Sequence, residues 1–154
     1  MKRLIVLIPA LLLTLASTRT LPEENRVGTF NRQAIVVAYY RSPQWADTLK
    51  QKRAALEEAK RANDAAKIKE LNAWGGESQE LAHRQLADGA PITNILEALK
   101  PTLDEIEKSE HLANIVPAPA PDTKTPTVDV TPQLLDRLKA DENTRKIIQD
   151  LPRM

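Results

Sequence analysis

The chain has 154 residues, no cysteine and five aromatic side chains, and its 22 basic residues nearly balance its 21 acidic ones. This length fits one small domain and excludes a large multi-domain enzyme. The absence of cysteine excludes disulfide frameworks, thiol nucleophiles, thiolate zinc sites and lipid attachment to an N-terminal cysteine.

Residues 1–16 have the pattern of a secretory signal peptide. Lys2 and Arg3 precede an apolar run of about twelve residues, shorter than the roughly 20 that a membrane-spanning helix needs. Thr14 and Ala16 place small residues before a cut after Ala16. An uncleaved membrane anchor is the less favoured alternative.

Cleavage after Ala16 would remove two positive charges and leave a formal charge of −1. Without a basic surplus, the charge gives no reason to expect binding to nucleic acid or to anionic lipid. We therefore predict an exported, periplasmic protein with no nucleic-acid partner and at most peripheral contact with the membrane.

The first part of the mature chain predicts one strand and one helix. Residues 17–25 are polar and are predicted to be disordered. Residues 26–30 indicate a short strand, and Asn31 after them is a suitable helix N-cap. The apolar run 33–40 is compatible with a buried strand or a buried helix, and we favour the helix.

The middle of the chain predicts a long antiparallel helical hairpin over about residues 44–108. Ser42–Pro43 supplies an N-cap and a first-turn proline, and residues 44–73 contain neither glycine nor proline. Gly75–Gly76 predicts the turn between two arms of matched length, each about 46 to 48 Å long. The returning arm is interrupted at 88–91.

The packing seam of the predicted hairpin is uneven. Positions three and four apart from Trp45 onward are mostly small or charged, whereas a regular apolar stripe runs from Ile92 to Ile106. The part of the arms near the turn should therefore be soft, because few buried contacts hold it. Gly89 and Pro91 add a possible bending point.

The C-terminal part predicts two strands, a loop and two helices. The strands are residues 111–116 and 128–130, and the loop over 117–126 contains four prolines and is expected to be extended. Helices are predicted from Thr131–Pro132 to about residue 139 and over 141–150.

Together these elements predict one domain over residues 26–154. Its fold class is α+β and predominantly helical, with a small three-strand body and a long antiparallel helical hairpin that forms a coiled-coil-like arm. Three short strands leave unpaired edges, so we expect several chains to assemble, most simply as a homotrimer.

The layout resembles the Skp (OmpH-like) family of periplasmic chaperones. The likeness rests on Val27-Gly28-Thr29-Phe30-Asn31, on Ile95-Leu96-Glu97-Ala98-Leu99 and on the strand-to-helix segment 128–135. It covers most of residues 26–139. The resemblance implies a trimer whose strands form a central body and whose arms enclose unfolded outer-membrane proteins. The chain departs from the family in its shorter arms, its nearly neutral charge and its proline-rich stretch 117–126.

The candidate contact residues lie around the predicted arm tip. Trp74 next to Gly75–Gly76 would be exposed unless it folds back onto Leu71 or Leu81, so contact with a client or membrane and local packing of the turn both remain open. With Leu86, these side chains form the predicted contact set. Their exposure toward a shared cavity would favour a chaperone, and their burial between the arms would favour an adaptor.

No residue pattern indicates catalysis, a cofactor or a metal site. His83 and His111 are 28 residues apart, and adjacent carboxylates such as Glu57–Glu58 diverge by about 100° on a helix. No nucleophile elbow, phosphate-binding glycine loop or zinc-protease motif occurs. Four aromatic side chains are assigned to core or subunit-interface packing: Phe30, Tyr39, Tyr40 and Trp45.

These observations favour an ATP-independent holdase that binds unfolded envelope or outer-membrane proteins through its arms, without enzymatic activity or a cofactor. Several weak contacts from several arms would act together on one client. The alternative is an exported coiled-coil structural or adaptor protein that binds a folded envelope partner.

Overall fold

The computed structural model describes residues 26–120 and 124–151. The predicted signal peptide and residues 17–25 lie outside this part. The described residues form a predominantly helical α+β fold. Its elements in chain order are β1 (Arg26–Phe30), α1 (Arg32–Tyr40), α2 (Pro43–Arg61), α3 (Ala65–Leu86), α4 (Thr93–Ser109), β2 (Leu112–Pro117), β3 (Thr127–Asp129), α5 (Thr131–Arg137) and α6 (Glu142–Gln149).

The three strands form one parallel sheet in the order β2-β1-β3. Gly28 in the central strand pairs with Ile115 on one side and Val128 on the other. A Cβ atom at Gly28 would lie 2.7 Å from Cγ1 of Ile115 and 2.9 Å from Cδ1 of Leu112. Glycine is therefore needed here because neighbouring side chains already fill the space above the strand.

The two faces of the sheet differ in burial. Gly28 and Phe30 of β1 are buried, whereas Val27 and Thr29, which alternate with them, are only half-buried. Parallel sheets are normally covered on both faces. The face that carries Val27 and Thr29 is thus the less protected one within a single chain.

One hydrophobic core joins the sheet to the helices around it. Phe30 and residues from α1, α4 and α5 form it, and half-buried Val128 and Ile115 pack against it. The main buried members are Phe30, Ile35, Val36, Tyr39, Ile95, Leu99, Ile106, Val130, Leu134 and Leu138. The apolar stripe of α4 predicted from Ile92 onward is therefore largely the part of α4 that faces this core.

Several sequence predictions are confirmed. The run 33–40 lies in a helix, α1, and the side chain of Asn31 caps it by accepting a hydrogen bond from the backbone N–H of Ala34. Ser42 caps α2 in the same way and Pro43 occupies the first turn. The strands β1, β2 and β3 lie within one residue of their predicted limits.

The predicted turn at Gly75–Gly76 is wrong, because both glycines lie inside α3. The predicted helix over 44–73 instead ends at Arg61, and a new helix begins at Ala65. Asn63 takes the left-handed conformation with φ of 54°. The N–H groups of Asn63 and Asp64 then bond the carbonyls of Lys60 and Ala59, which is the Schellman pattern of a helix C-terminus.

The error has a physical reason. A glycine in a helix interior costs only about 1 kcal/mol relative to alanine, so Gly75 and Gly76 do not by themselves end a helix. Asn63 tolerates the left-handed region better than most residues, and Asp64 caps the next helix by accepting a hydrogen bond from Lys67 N–H.

The corrected boundaries also change the arm. The matched arms of 44–74 and 77–108 are replaced by three helices of 19, 22 and 17 residues. The break predicted at 88–91 is present between α3 and α4. We call α2, the turn at 62–64 and α3 the helical arm, and α4 belongs with the sheet instead.

Candidate interaction site at the helical arm

Trp74 is not at the tip of the helical arm. Its ring centroid lies 5.9 Å from that of Trp45 in α2, and Nζ of Lys52 lies 5.1 Å from the Trp74 ring centroid. Trp45 in turn contacts Tyr39 and Tyr40, with ring centroids 5.8 and 4.9 Å apart. Trp74 therefore extends an aromatic cluster that begins in α1, which corrects its predicted place beside a terminal turn.

The four predicted contact residues are covered to different degrees within one chain. Leu71 is 6% exposed, whereas Trp74, Leu81 and Leu86 are half-buried. Leu86 packs against the main core. Only Leu71 is therefore buried, so the four residues meet neither condition in full, whether exposure toward a shared cavity or burial between the arms.

The body-side end of the arm is held by a buried amide. Gln85 has no exposed surface. Its Nε2 donates to the carbonyl of Pro91 at 2.7 Å and to Oδ1 of Asn94 at 2.6 Å, and its Oε1 accepts a hydrogen bond from the Tyr40 hydroxyl at 2.8 Å. A buried polar group with all these partners connects α3 to α1 and α4.

Arg32 completes this attachment from the start of α1. Its two terminal nitrogens donate to the carbonyls of Gln85 and Ala90, each at 2.5 Å, and Nη1 also lies 2.9 Å from the carboxylate of Asp88. These bonds hold the segment 88–91, between α3 and α4, against α1. We call Arg32, Tyr40, Gln85 and Asn94 the root network.

The distal end of the arm has no comparable network among the residues that the structure describes. Ala59 is buried, but Ala62, Ala65 and Ala66 are exposed. The ion pairs of this region, Lys60 with Glu57 at 2.7 Å and Lys67 with Glu70 at 2.8 Å, join exposed side chains. Such surface pairs contribute little to stability because water screens them.

The aromatic cluster affects one titratable group. Burial, together with the neighbouring Tyr40, raises the pKa of the Tyr39 hydroxyl above its ordinary value. Phe30 and Tyr39 are buried in the core as predicted. Tyr40 and Trp45 are half-buried and pack against that core.

Two searches of the described residues concern other kinds of site. Among residues 26–120 and 124–151, no group of three or more His, Cys, Asp or Glu side chains could hold a metal ion. Within the same part of the chain, no helix has the length and apolar character needed to cross a membrane.

Comparisons of the chain with protein-family models, with curated proteins and with solved structures found no match. They therefore neither support nor contradict the resemblance to Skp-like chaperones.

Sequence reasoning missed the root network. Arg32 precedes an apolar run as an ordinary polar residue, and Gln85 stands among polar helix formers, so neither position carries a pattern that distinguishes it. The turn at 62–64 did carry a signal, because the pair Asn63–Asp64 combines tolerance of positive φ with N-cap chemistry.

Proposed function

We propose that this chain is an exported, non-catalytic adaptor whose helical arm binds a folded protein of the cell envelope. In this proposal α2 and α3 form an antiparallel, coiled-coil-like arm that is held in a defined direction by the root network. The observation that carries the proposal is the burial of Leu71 within one chain. Unfolded chains are bound through accessible apolar surface, which this side chain does not offer.

The root network supports the same proposal. An arm held to the body by Gln85 and Arg32 presents its outer surface in one orientation, and a pre-organised surface loses less entropy when it binds a folded partner. A holdase that adapts to many clients would gain little from such an attachment.

Site-specific photo-crosslinking in cells tests the adaptor proposal. A photo-reactive residue at exposed Ala66 on the distal arm is expected to give one or two discrete products, and one at Ala46 near the start of α2 serves as the matched exposed control. A broad smear of products from Ala66, like that of a protein that binds many unfolded chains, would contradict the proposal.

A second candidate is the holdase implied by the resemblance. The observation that favours it is the less protected face of the parallel sheet, where Val27 and Thr29 are only half-buried. Assembly of several chains over this face would cover it. A homotrimer with its arms around a shared space is the corresponding assembly. Its partners would be unfolded outer-membrane proteins.

Dilution of a denatured outer-membrane barrel protein into buffer separates the two candidates. The adaptor proposal expects that a molar excess of this protein leaves the light scattering of the aggregating barrel unchanged. Suppression of scattering would favour the holdase instead. Gel filtration coupled to light scattering gives the molar mass in the same buffer, and a monomer would remove the shared-cavity mechanism.

A further inference from the structure

α4 carries an apolar, partly exposed strip whose two leucines, Leu96 and Leu103, also pack against the main core. Leu96 and Leu103 are half-buried and lie seven residues apart, so they share a face about 10 Å apart along the helix. They line a shallow groove of about 320 Å³. Its lining residues are Thr93, Leu96, Glu97, Lys100, Leu103, Asp104 and Glu107.

The groove is bordered by negative charge. Lys100 is paired with Asp104 at 2.9 Å. Glu97 and Glu107 form no ion pair with any residue that the structure describes. Residues 93–110 contain five acidic side chains and two basic ones. An occupant of this groove should therefore be a basic segment that carries small or apolar side chains between its charges.

The helical arm of the same protein has this chemistry. Residues 50–61, which belong to α2, contain five basic and two acidic side chains. In α2, Lys50 and Arg61 are exposed and form no ion pair with a described residue, and Ala54 between them is exposed as well. Glu57 lies on the same face, and its carboxylate is already paired with Lys60 at 2.7 Å. Arg61 follows Lys50 by eleven positions, which is about three helical turns, so the two cations share a face.

The axial spacing of the charges is similar on the two helices, and Glu97 and Glu107, about 80° apart around α4, border the groove rather than lie on one line. Lys50 and Arg61 are about 16 Å apart along α2, and Glu97 and Glu107 are about 15 Å apart along α4, at 1.5 Å per residue. The small side chain of Ala54 would let the two helices approach at Leu96 and Leu103.

We propose that the α4 groove binds α2 from a second copy of this chain. Ala54 would then pack on Leu96 and Leu103, and Lys50 and Arg61 would pair with Glu97 and Glu107. This contact joins different surfaces of the two copies and is therefore heterologous, which builds rings or linear assemblies. It does not depend on whether the arm binds folded or unfolded partners.

Charge reversal with rescue tests the contact by sedimentation velocity of the purified protein. We expect self-association through this contact to weaken about tenfold or more between low and high salt, because exposed charges are screened. The double variants K50E/R61E and E97K/E107K should each lose the same association. When the unmodified protein is mixed with either variant, one contact should still form, because one of the two possible arm–groove pairings keeps opposite charges.

The variant D150K is the matched control, because Asp150 is an exposed acid outside the groove. It should associate like the unmodified protein. Association that is independent of salt, or that survives both double variants, would overturn the proposal. Circular dichroism of every variant verifies that the helices are retained, and a combined variant with all four reversals should associate again through inverted pairs.

Disulfide trapping locates the contact independently, and the absence of native cysteine keeps the background clean. Chains with A54C and chains with K100C should form a mixed disulfide dimer when they are combined, because Lys100 lines the groove at the level that Ala54 would occupy. A54C combined with A113C, an exposed position on β2, is the control and should not. Equal trapping of both pairs would contradict the assignment of the groove. None of these outcomes bears on the light-scattering test of client binding.

Discussion

The two ends of the helical arm are built on different principles. At the body-side end, a fully buried Gln85 and the guanidinium of Arg32 connect three helices through hydrogen bonds. At the distal end, the helices meet at a three-residue turn beside exposed alanines and solvent-exposed ion pairs. The difference shows that both ends can be helical while only one is firmly attached, because attachment comes from buried contacts rather than from helix propensity.

The largest effect is expected for Gln85→Leu. The substitution removes the buried amide and leaves the half-buried Tyr40 hydroxyl and Asn94 side-chain oxygen without this partner, which should lower the free energy of unfolding by about 2 to 3 kcal/mol. Urea unfolding followed by circular dichroism measures the change. Loss of Trp45 and Trp74 packing should accompany it as a shift in tryptophan fluorescence of the native protein.

Gln79→Leu is the matched control for this comparison. Gln79 is exposed on the same helix, so its replacement should change the free energy of unfolding by less than about 0.5 kcal/mol. Equal effects at positions 79 and 85 would show that the root network contributes nothing specific.

The next largest effect is expected in the sheet. Gly28→Ala would place a Cβ within 3 Å of Ile115 and Leu112, and overpacking of this kind lowers the free energy of unfolding by about 1 to 3 kcal/mol. Thermal unfolding measures it. A neutral result would mean that the two side chains move aside without cost and that the body is less tightly packed than the contacts indicate.

Substitutions of the two glycines in the helical arm are expected to raise the free energy of unfolding instead of lowering it. Nothing lies within 4 Å of a Cβ built on Gly75 or Gly76, and each glycine is helical, so Gly→Ala at either position should stabilise α3 by about 0.5 to 1 kcal/mol. The same two substitutions would destabilise the protein if these residues formed a turn. The melting temperature of the double variant therefore tests the corrected helix boundary directly.

The smallest effect concerns pH. Hydrogen bonds from Thr144, at the first turn of α6, lower the pKa of Asp141 below its ordinary value. The ionised Asp141 side chain therefore stabilises the folded state at pH values above the ordinary aspartate pKa. This stabilisation is lost as the pH falls through the lowered pKa of Asp141 in the folded state. NMR titration of the Asp141 carboxyl measures the shift.

Asp141→Asn serves as the control for the pH effect. Asparagine keeps an N-cap acceptor but does not titrate, so the variant should lose this part of the acid dependence while α6 stays folded. An Asp141 pKa at or above the ordinary value would contradict the capping geometry.

Local patterns were enough to predict much of the fold. The N-caps Asn31 and Ser42 and the strand limits depend on interactions between residues that are close in the sequence, so the sequence is enough to predict them. The break at 88–91 is equally local, because Gly89 and Pro91 both interrupt a helix.

Helix C-termini were harder to predict for one reason. Within residues 26–120 and 124–151, four non-glycine residues take positive φ, namely Asn63, Asp88, His111 and Lys139, and each follows a helix. The glycines that would normally mark such ends lie inside α3 instead. A rule that assigns turns to glycine fails when tertiary contacts hold the glycines in a helix and hydrogen bonds close the ends elsewhere.

The candidate contact set illustrates the same limit. Leu71 and Trp74 are recognisable in the sequence as apolar residues of a helix, but their partners are not. Trp74 contacts Trp45, which lies 29 positions earlier, and that contact depends on the position of the turn at 62–64. The predicted turn at Gly75–Gly76 lies about three and a half helical turns beyond the observed one. Trp74 was therefore expected at a tip although it is packed against Trp45.

The sequence by itself determined the α+β class, the order of the elements and most strand and cap positions, because these depend on neighbouring residues. Only the tertiary structure decided where the arm turns, that Gln85 is buried and that Leu71 is covered. These properties depend on contacts between residues far apart in the chain, and the free energy of such contacts exceeds the local preferences that a sequence displays.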